Sequence, residues 1–485
     1  MYATLKFDTE DVYYPPEYRI DDIPGWLAEI MTDVGVRGTF CTFGEKARSM
    51  LNRGRKDVLA AMAAHDLFSH TQGNGRPLIP EALEHAGWDD GLSLMRAYED
   101  KVAEDFLAAF GRGPEGFSRH NIYWAPQHVA VAGERGLCYM SGLVGLENCD
   151  QPLWYAGTLN MPAASTPGFG GFDQLYTCDA AFEARLKELD AYLAACLSRG
   201  VEYVSVFGCH PVMVCARGWI EEYVQANGKT RSIEEIGWRY AVKGPADEAR
   251  AKANFRRLCR YLKDHPGLEM LGGAEAAKLF STQPEEISRD ELTAYALDVI
   301  HADRPVLHST FSPAELLTGL CASIVAAAEG RRVPDEVPRR DVLGPTDIPV
   351  LGREADLVSF EELADLSRQL VAAVEKTGRI AGNVHTAKAP VGAGQLLVLA
   401  ARAYHALARS EKMATLRVSK TTRYPDKAME LSAIVQRNVG EHWPYRPDIS
   451  AEALARQARL QAWTIKPAWL RPPRGKPIGE GRIDV

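Results

Sequence analysis

From its first residues the chain alternates. Ala3, Leu5 and Phe7 are apolar while Thr4, Lys6 and Asp8 are polar, the two-residue period of a strand with one buried face. Trp26, Leu27, Ile30 and Met31 then recur at helical spacing, and residues 36–43 read as a second strand. A helix around 58–64 runs into the segment His65-Asp66-Leu67-Phe68-Ser69-His70-Thr71. Leu94, Tyr98, Val102, Phe106 and Phe110 form one apolar helix stripe, and Phe182, Leu186, Leu189, Leu193 and Cys196 form another. Residues 201–207 are β-rich and close on Gly208-Cys209-His210-Pro211. Phe255, Leu258, Cys259 and Leu262 mark a late helix, and residues 268–271 a last strand. Strand and helix alternate in this way over residues 1–282, which predicts a parallel α/β domain.

Near Thr282 the pattern changes to helices without clear strands. Ser312-Pro313-Ala314-Glu315-Leu316 and Ser359-Phe360-Glu361-Glu362-Leu363 each match a helix-opening capping box. At the same offset Ile324 matches Val371, Arg332 matches Arg379, Val333 matches Ile380 and Val337 matches Val384. The expectation is a smaller helical domain over 283–415 whose repeats, about 312–337 and 359–384, share one core because a single copy buries too little surface. Residues 416–485, with Pro/Arg-rich stretches, read as an extended segment packing on the rest.

Composition narrows the class. The chain has 485 residues, 46% of them apolar and 25% charged, with a net charge of −8 and no basic stripe, which excludes an electrostatically driven nucleic-acid binder. No apolar run approaches the roughly 18 residues of a membrane span. The nine cysteines are scattered and include no C-x-x-C pair, so reduced thiols are expected. Met1 lies almost against the first strand, leaving no room for a signal peptide. A cytoplasmic protein is the expectation.

Chemistry concentrates where strands end. Asp8, Glu10 and Asp11 crowd three carboxylates into four residues, a repulsion that a divalent cation would relieve. His70, Arg119 and His210 also fall at or after predicted strand ends, the rim that carries reactive groups in such folds.

The order of segments, Phe7-Asp8-Thr9-Glu10-Asp11, then residues 38–47, then 65–71, then Phe117-Ser118-Arg119, then 204–211, resembles the NodB-type polysaccharide deacetylases. The pair Leu153-Trp154-Tyr155 and Leu159-Asn160-Met161-Pro162 is similar to a later strand pair of that family. The resemblance covers about residues 1–280 and implies a distorted (β/α)7-type barrel. It implies a metal-dependent hydrolase that removes an acyl group, an N-acetyl group above all, from a carbohydrate or related small amide. Asp8 then matches the base, Arg119 the arginine that orients it, and His210 the general acid. Glu10, with Asp11 as the alternative, matches the metal carboxylate, and His70 the first metal histidine. The cation implied is zinc.

Two positions depart from the family. The second metal histidine is replaced by Asn74, a poorer zinc ligand than imidazole, with His120 the nearest substitute. The aspartate that tunes the acid histidine has only Glu147 and Asp150 as weak counterparts. Tyr13, Tyr14, Tyr123, Trp124, Trp154 and Tyr155 cluster around these motifs, and Tyr13, Tyr14, Trp124 and Trp154 are the candidates for stacking on a sugar. Two other readings stay open: a carbohydrate-binding barrel without catalysis, and a metal-independent amidohydrolase. The C-terminal repeats loosely resemble pseudomurein-binding repeats; a structural domain through which the chain self-associates is the alternative.

Overall fold

In the computed structural model, which describes residues 1–120, 124–140, 151–162, 171–351, 356–411, 413, 415–440 and 443–470, the first strand is buried on both faces. Strand β1 spans Tyr2–Thr9. Ala3, Leu5 and Phe7 are sealed in an apolar core, where the Phe7 ring stacks on Phe40 at 5.2 Å and meets Phe255 edge-on at 5.8 Å. Thr4, Lys6 and Asp8, on the other face, are also buried. A half-exposed strand was the expectation from the alternation. The polar face is covered because its groups satisfy one another or neighbouring strands, as when Thr4 Oγ1 meets the Tyr203 hydroxyl at 2.8 Å.

The strands that follow are β2 (Gly38–Thr42), β3 (Asp66–Ser69), β4 (Gly116–Ser118), β5 (Cys138–Met140), β6 (Leu153–Tyr155), β7 (Thr158–Met161), β8 (Tyr203–Cys209) and β9 (Glu269–Met270). The chain divides into two units, and β6 belongs to the second. The first comprises Met1–Pro152, Thr158–Phe280 and Gln436–Ala451. Its sheet runs β7-β5-β4-β3-β2-β1-β8, parallel at every step, with β9 pairing the start of β1. This is the α/β architecture that the strand–helix alternation predicts, an incomplete barrel with β7 and β8 at the two ends of its strand order. The helices Asp22–Val34 and Pro245–Asp264 supply much of the apolar cover, through Leu27, Met31, Phe255 and Leu258.

The long helix Trp88–Phe110 shows where pattern alone misleads. Its buried stripe is Leu92, Met95, Glu99, Val102 and Phe106, while Leu94 is 45% exposed. A carboxylate holds a core position because it is fully paired: Ser69 Oγ donates to Glu99 Oε2 at 2.8 Å, and His128 Nε2 donates to Glu99 Oε1 at 2.6 Å. The Tyr139 hydroxyl in turn donates to His128 Nδ1 at 2.9 Å. This closed network ties β3 and β5 to two helices at no unsatisfied cost.

The second unit comprises Leu153–Gly157, Ser281–Val435 and Glu452–Val485. Both quoted capping boxes form: Glu315 N–H donates to Ser312 Oγ and Ser312 N–H to Glu315 Oε2, at 3.2 and 2.7 Å, and the pair Ser359/Glu362 repeats this at 3.2 and 3.0 Å. Two further helix starts in this unit carry the same pattern or a variant of it, and Ser288 with Glu291 forms a third box there. Ile287-Ser288-Arg289-Asp290-Glu291-Leu292 opens the helix Arg289–Ala302, and Val391-Gly392-Ala393-Gly394-Gln395-Leu396 opens Ala393–Ala408. The variant has glycine for serine at the cap and glutamine for glutamate, and no side-chain cap bond forms there. The short extended piece expected at the end of each repeat is a strand, and further short strands accompany them, pairing Glu286–Ser288 with Glu336–Pro338, Leu357–Ser359 with Thr415–Arg417, and Asn383–His385 with Pro390–Gly392. Residues 416–485, expected to be extended, contain the helices Ala428–Gly440 and Glu452–Gln461, because Leu431, Ile434 and Val435, and Leu454, Ala455 and Ala458, recur on one face of each.

The eight cysteines among the described residues are unpaired, and all but Cys178 are buried. No described helix is long and apolar enough to cross a membrane.

His308 gives the second unit a pH dependence. It is buried, and its Nδ1 accepts from the backbone N–H groups of Thr310 and Phe311, both at 3.2 Å. Burial pushes its pKa from the ordinary 6.5 down to about 4. Between those values the unfolded chain takes up a proton that the folded chain refuses, so this group's contribution is complete above 6.5 and is lost as pH falls toward 4. Thermal midpoints measured across that window are expected to fall more steeply for the native chain than for His308→Gln, and equal slopes would count against the assignment.

Candidate functional site

The parallel register lines up the strand ends. Thr9 lies opposite Thr42, Thr42 opposite Ser69, and Ser69 opposite Phe117. Residues that follow these strands therefore enter one rim: Glu10 after β1, His70 after β3, Arg119 and His120 after β4. Strand β8 joins along the other edge of β1, where Lys6 pairs with Phe207 and Phe7 with Cys209. The skipped residue is Gly208, where a Cβ would lie 2.5 Å from the Phe7 ring, so only glycine allows the bulge that delivers His210 to the rim.

Asp8 is held by a residue that the sequence motifs leave out. Lys6, two positions earlier on the same face, places Nζ 2.9 Å from Asp8 Oδ1. Burial would raise the Asp8 pKa, but the Lys6 charge, with His210 beyond it, holds the carboxyl below its usual value. Arg119 is half-buried, and the loss of hydration lowers its pKa against the pull of Tyr139 first and Asp8 after it. Lys6 is thus the direct ion-pair partner of the base candidate.

Glu10, His70 and His120 meet. Glu10 Oε2 is 3.2 Å from His70 Nε2 and 3.2 Å from His120 Nε2, and the three ligand atoms lie within 4.8 Å of one another. All three side chains are buried. Burial pushes the His70 pKa down to about 3, leaving a neutral imidazole. Glu10 is pushed well above the usual carboxylate range by burial and by the charges of Glu221 and Asp8. Among the described residues, Glu10 Oε2 makes no hydrogen bond and neither ring nitrogen of His70 makes one of good geometry. Buried donors of this kind, one carboxylate and two imidazoles, suit a divalent transition metal. A second grouping, Asp8, Cys41 and His70, shares His70. Burial raises the Cys41 thiol pKa, so that set would first have to shed a proton.

His210 faces this group from β8, its Nε2 3.8 Å from Glu10 Oε1. Asp173 fixes it twice, accepting from the His210 backbone N–H at 2.7 Å and approaching Nδ1 at 3.1 Å. Burial alone would lower the imidazole pKa, but Asp173 outweighs it and holds the value above ordinary. The Trp219 ring stands edge-on to His210 at 4.8 Å. The His210 and Asp173 side chains are 23% and 34% exposed, against 1–4% for His70, Glu10 and His120, so the open side of the site is the His210 side.

The remaining candidates separate. Asn74 does not sit in the Glu10–His70–His120 group: its side chain lies against Glu221 and the Tyr13 hydroxyl. The reason is local. Residues 70–74 form no helix, Thr71 has φ +78° and Gly73 φ +145°, so positions four apart do not share a face as they would on a helix. Asp11 turns into its own loop, where Oδ2 accepts from Tyr14 N–H at 3.4 Å. Tyr13 reaches the site's edge, accepting from Gln225 Nε2 at 3.3 Å. Tyr14 is 1% exposed and packs with Tyr18 and Tyr240 in the core. Trp124 is buried ahead of the helix Pro126–Glu134. Trp154 belongs to the second unit, where Lys466 Nζ lies over its ring. Tyr123, Glu147 and Asp150 lie outside the described residues. Lys6 was recoverable from the period-two face it shares with Asp8. Asp173, Trp219 and Glu221 carry no local signal, because they approach through loops far along the chain.

No family model matches the chain, and no curated protein does. Solved structures with partial likeness include a family 4 carbohydrate esterase from Streptomyces lividans in complex with acetate, at 14% identity over 55% of this chain and 90% of that one, TM-score 0.29. Another is a polysaccharide deacetylase from Bacillus cereus, at 12% identity over 58% and 95%, TM-score 0.30. A third is a 4-alpha-glucanotransferase from Thermococcus litoralis, at 12% identity over 62% and 45%, TM-score 0.37. Likeness of this order assigns neither family nor activity, and the geometry of the site has to carry both.

The Lys6–Asp8 pair is testable without any substrate. Lys6→Met leaves a buried carboxylate uncompensated and is expected to cost about 3–5 kcal/mol. Adding Asp8→Asn should restore much of that loss in chemical denaturation. Additive losses would show that the pair is not coupled.

Proposed function

We propose that the first unit is a metal-dependent hydrolase that removes an acyl group from an N-acylated sugar or a related small amide. The observation that carries this reading is the placement, around one buried Glu–His–His group, of a carboxylate clamped by a lysine and a histidine clamped by an aspartate. That is a base and an acid on two sides of a cation site, the set that hydrolysis of an amide requires.

Glu10, His70 and His120 would hold the cation, for which zinc is the first candidate. Such an ion supplies Lewis acidity, lowering the pKa of water and polarising a carbonyl oxygen. The chain's own groups do the rest. Asp8, kept ionised by Lys6, accepts the proton of the attacking water as its oxygen bonds to the acyl carbon. His210, whose proton affinity Asp173 raises, gives its Nε2 proton to the departing nitrogen as the C–N bond breaks. Acetate and a free amine are the products when the acyl group is acetyl. Substrate enters from the open His210 side, where Trp219 offers a half-buried aromatic surface against a sugar ring.

Metal analysis after incubation with zinc should find near one equivalent per chain, lost in His70→Ala and in His120→Ala. Asp8→Asn should keep the metal and lower acetate release from N-acetylated amino sugars by about 10²–10⁴-fold. Hydrolysis that depends on Asp8 without any metal would replace this reading with a metal-independent amidohydrolase. Metal binding with no hydrolysis across N-acylated sugars and small amides would leave a binding protein.

A further inference from the structure

A fourth acidic group reaches the cluster from a distant loop. Glu221 opens the short helix Glu221–Val224 and is 6% exposed. Its Oε1 lies 3.4 Å from His120 Nε2, the same nitrogen that stands 3.2 Å from Glu10 Oε2. That Oε1 atom is buried and makes no hydrogen bond among the described residues. Two carboxylates thus approach one imidazole nitrogen among buried side chains, an arrangement in which each raises the other's electrostatic cost.

We propose that Glu221 is a fourth protein ligand to the cation held by Glu10, His70 and His120, completing a set of two carboxylates and two imidazoles. The proposal rests on the metal site argued above. Two ionised carboxylates balance a dication in charge, which Glu10, His70 and His120 do not do alone. Asn74 gains a role in this arrangement. Its amide braces Glu221 and meets the Tyr13 hydroxyl, which Gln225 also engages, so it acts as a positioning residue for a ligand and not as a ligand. The loop that carries Glu221 then closes onto the ion, and metal binding and the order of that loop become linked.

The test is zinc affinity of the full-length chain, measured by competition with a chromophoric chelator. Glu221→Gln is expected to bind zinc at least 10-fold to 100-fold more weakly, on the order of the loss when a group supporting a metal site is removed. Glu222→Gln removes the same charge from the neighbouring exposed position and should change affinity by less than about twofold, since an exposed charge is screened. Without metal, Glu221→Gln should melt higher than the native chain because a buried repulsion is gone, and zinc should raise its midpoint less. Glu221→Asp, a shorter carboxylate, covers the case in which the amide variant fails to fold, and it should also bind more weakly. Native affinity in Glu221→Gln, or an equal loss in Glu222→Gln, overturns the proposal while the three-residue metal site stands. Failure of the native chain to bind zinc removes that site as well.

Discussion

Negative charge packed out of reach of water is the constraint that shapes the first unit. Asp8, Glu10 and Glu221 are each less than one-tenth exposed, and carboxylates in such surroundings persist as anions only beside positive charge. Lys6 meets the need of Asp8, its Nζ lying against that carboxylate at 2.9 Å, and its weaker pull on Glu10 does not offset that residue's burial. The contrast between the carboxyls follows from this: Asp8 is drawn below its ordinary pKa, while Glu10 and Glu221 are driven up, Glu221 to about 7, by burial in each case. A fold that accepts this cost at strand ends without a cation would be storing strain for nothing, whereas one that binds a dication converts the repulsion into affinity.

Much of this was legible in the residues that sit on regular elements. Asp8, Glu10, His70 and His210 follow strands whose apolar patterns are plain, and parallel register then brings them together without further information. Legibility ended where a side chain's role depends on a loop's path. The expectation that position 74 serves the metal rests on its match to the second metal histidine of the family that the sequence resembles, and the chain here passes through Thr71 and Gly73 with positive φ. Asp173 and Glu221 arrive from loops whose sequences say nothing of their targets. His120 was visible only as a neighbour of Arg119, because a three-residue strand such as β4 fixes direction too weakly for alternation to say which side chain points inward.

In the second unit, the same limit appears in reverse. Local chemistry was readable down to individual hydrogen bonds, since the Ser312/Glu315 and Ser359/Glu362 caps are set by residues three apart. Glu315 also has a second duty that spacing could not reveal. Its Oε1 lies 2.5 Å from Lys466 Nζ and 3.0 Å from Arg339 Nη1, so the residue that opens one helix also neutralises a lysine that is 4% exposed. Burial of that lysine is tolerable only with the carboxylate in place, which couples the C-terminal stretch to the start of the helix Pro313–Ala328.

The aim of His70 depends on structure beneath the site as much as on the site itself. Thr71, immediately after it, holds φ +78° without being glycine, a conformation that costs free energy unless the surroundings enforce it. Ser69 enforces it from one side, accepting from Thr71 N–H at 3.2 Å while donating to Glu99 at 2.8 Å. From the other side Gly44 N–H binds Thr71 O at 3.1 Å and Glu45 N–H binds Gln72 O at 2.8 Å. The Ser69–Glu99–His128–Tyr139 network is therefore more than a satisfied polar core: through one hydroxyl it fixes the turn that directs His70 toward Glu10. Because every member is buried and paired, the turn cannot relax without breaking several hydrogen bonds in a low-dielectric interior. Rigidity of this origin is what a site made of strand ends needs, since the groups it gathers come from separate strands and loops and several of them repel one another.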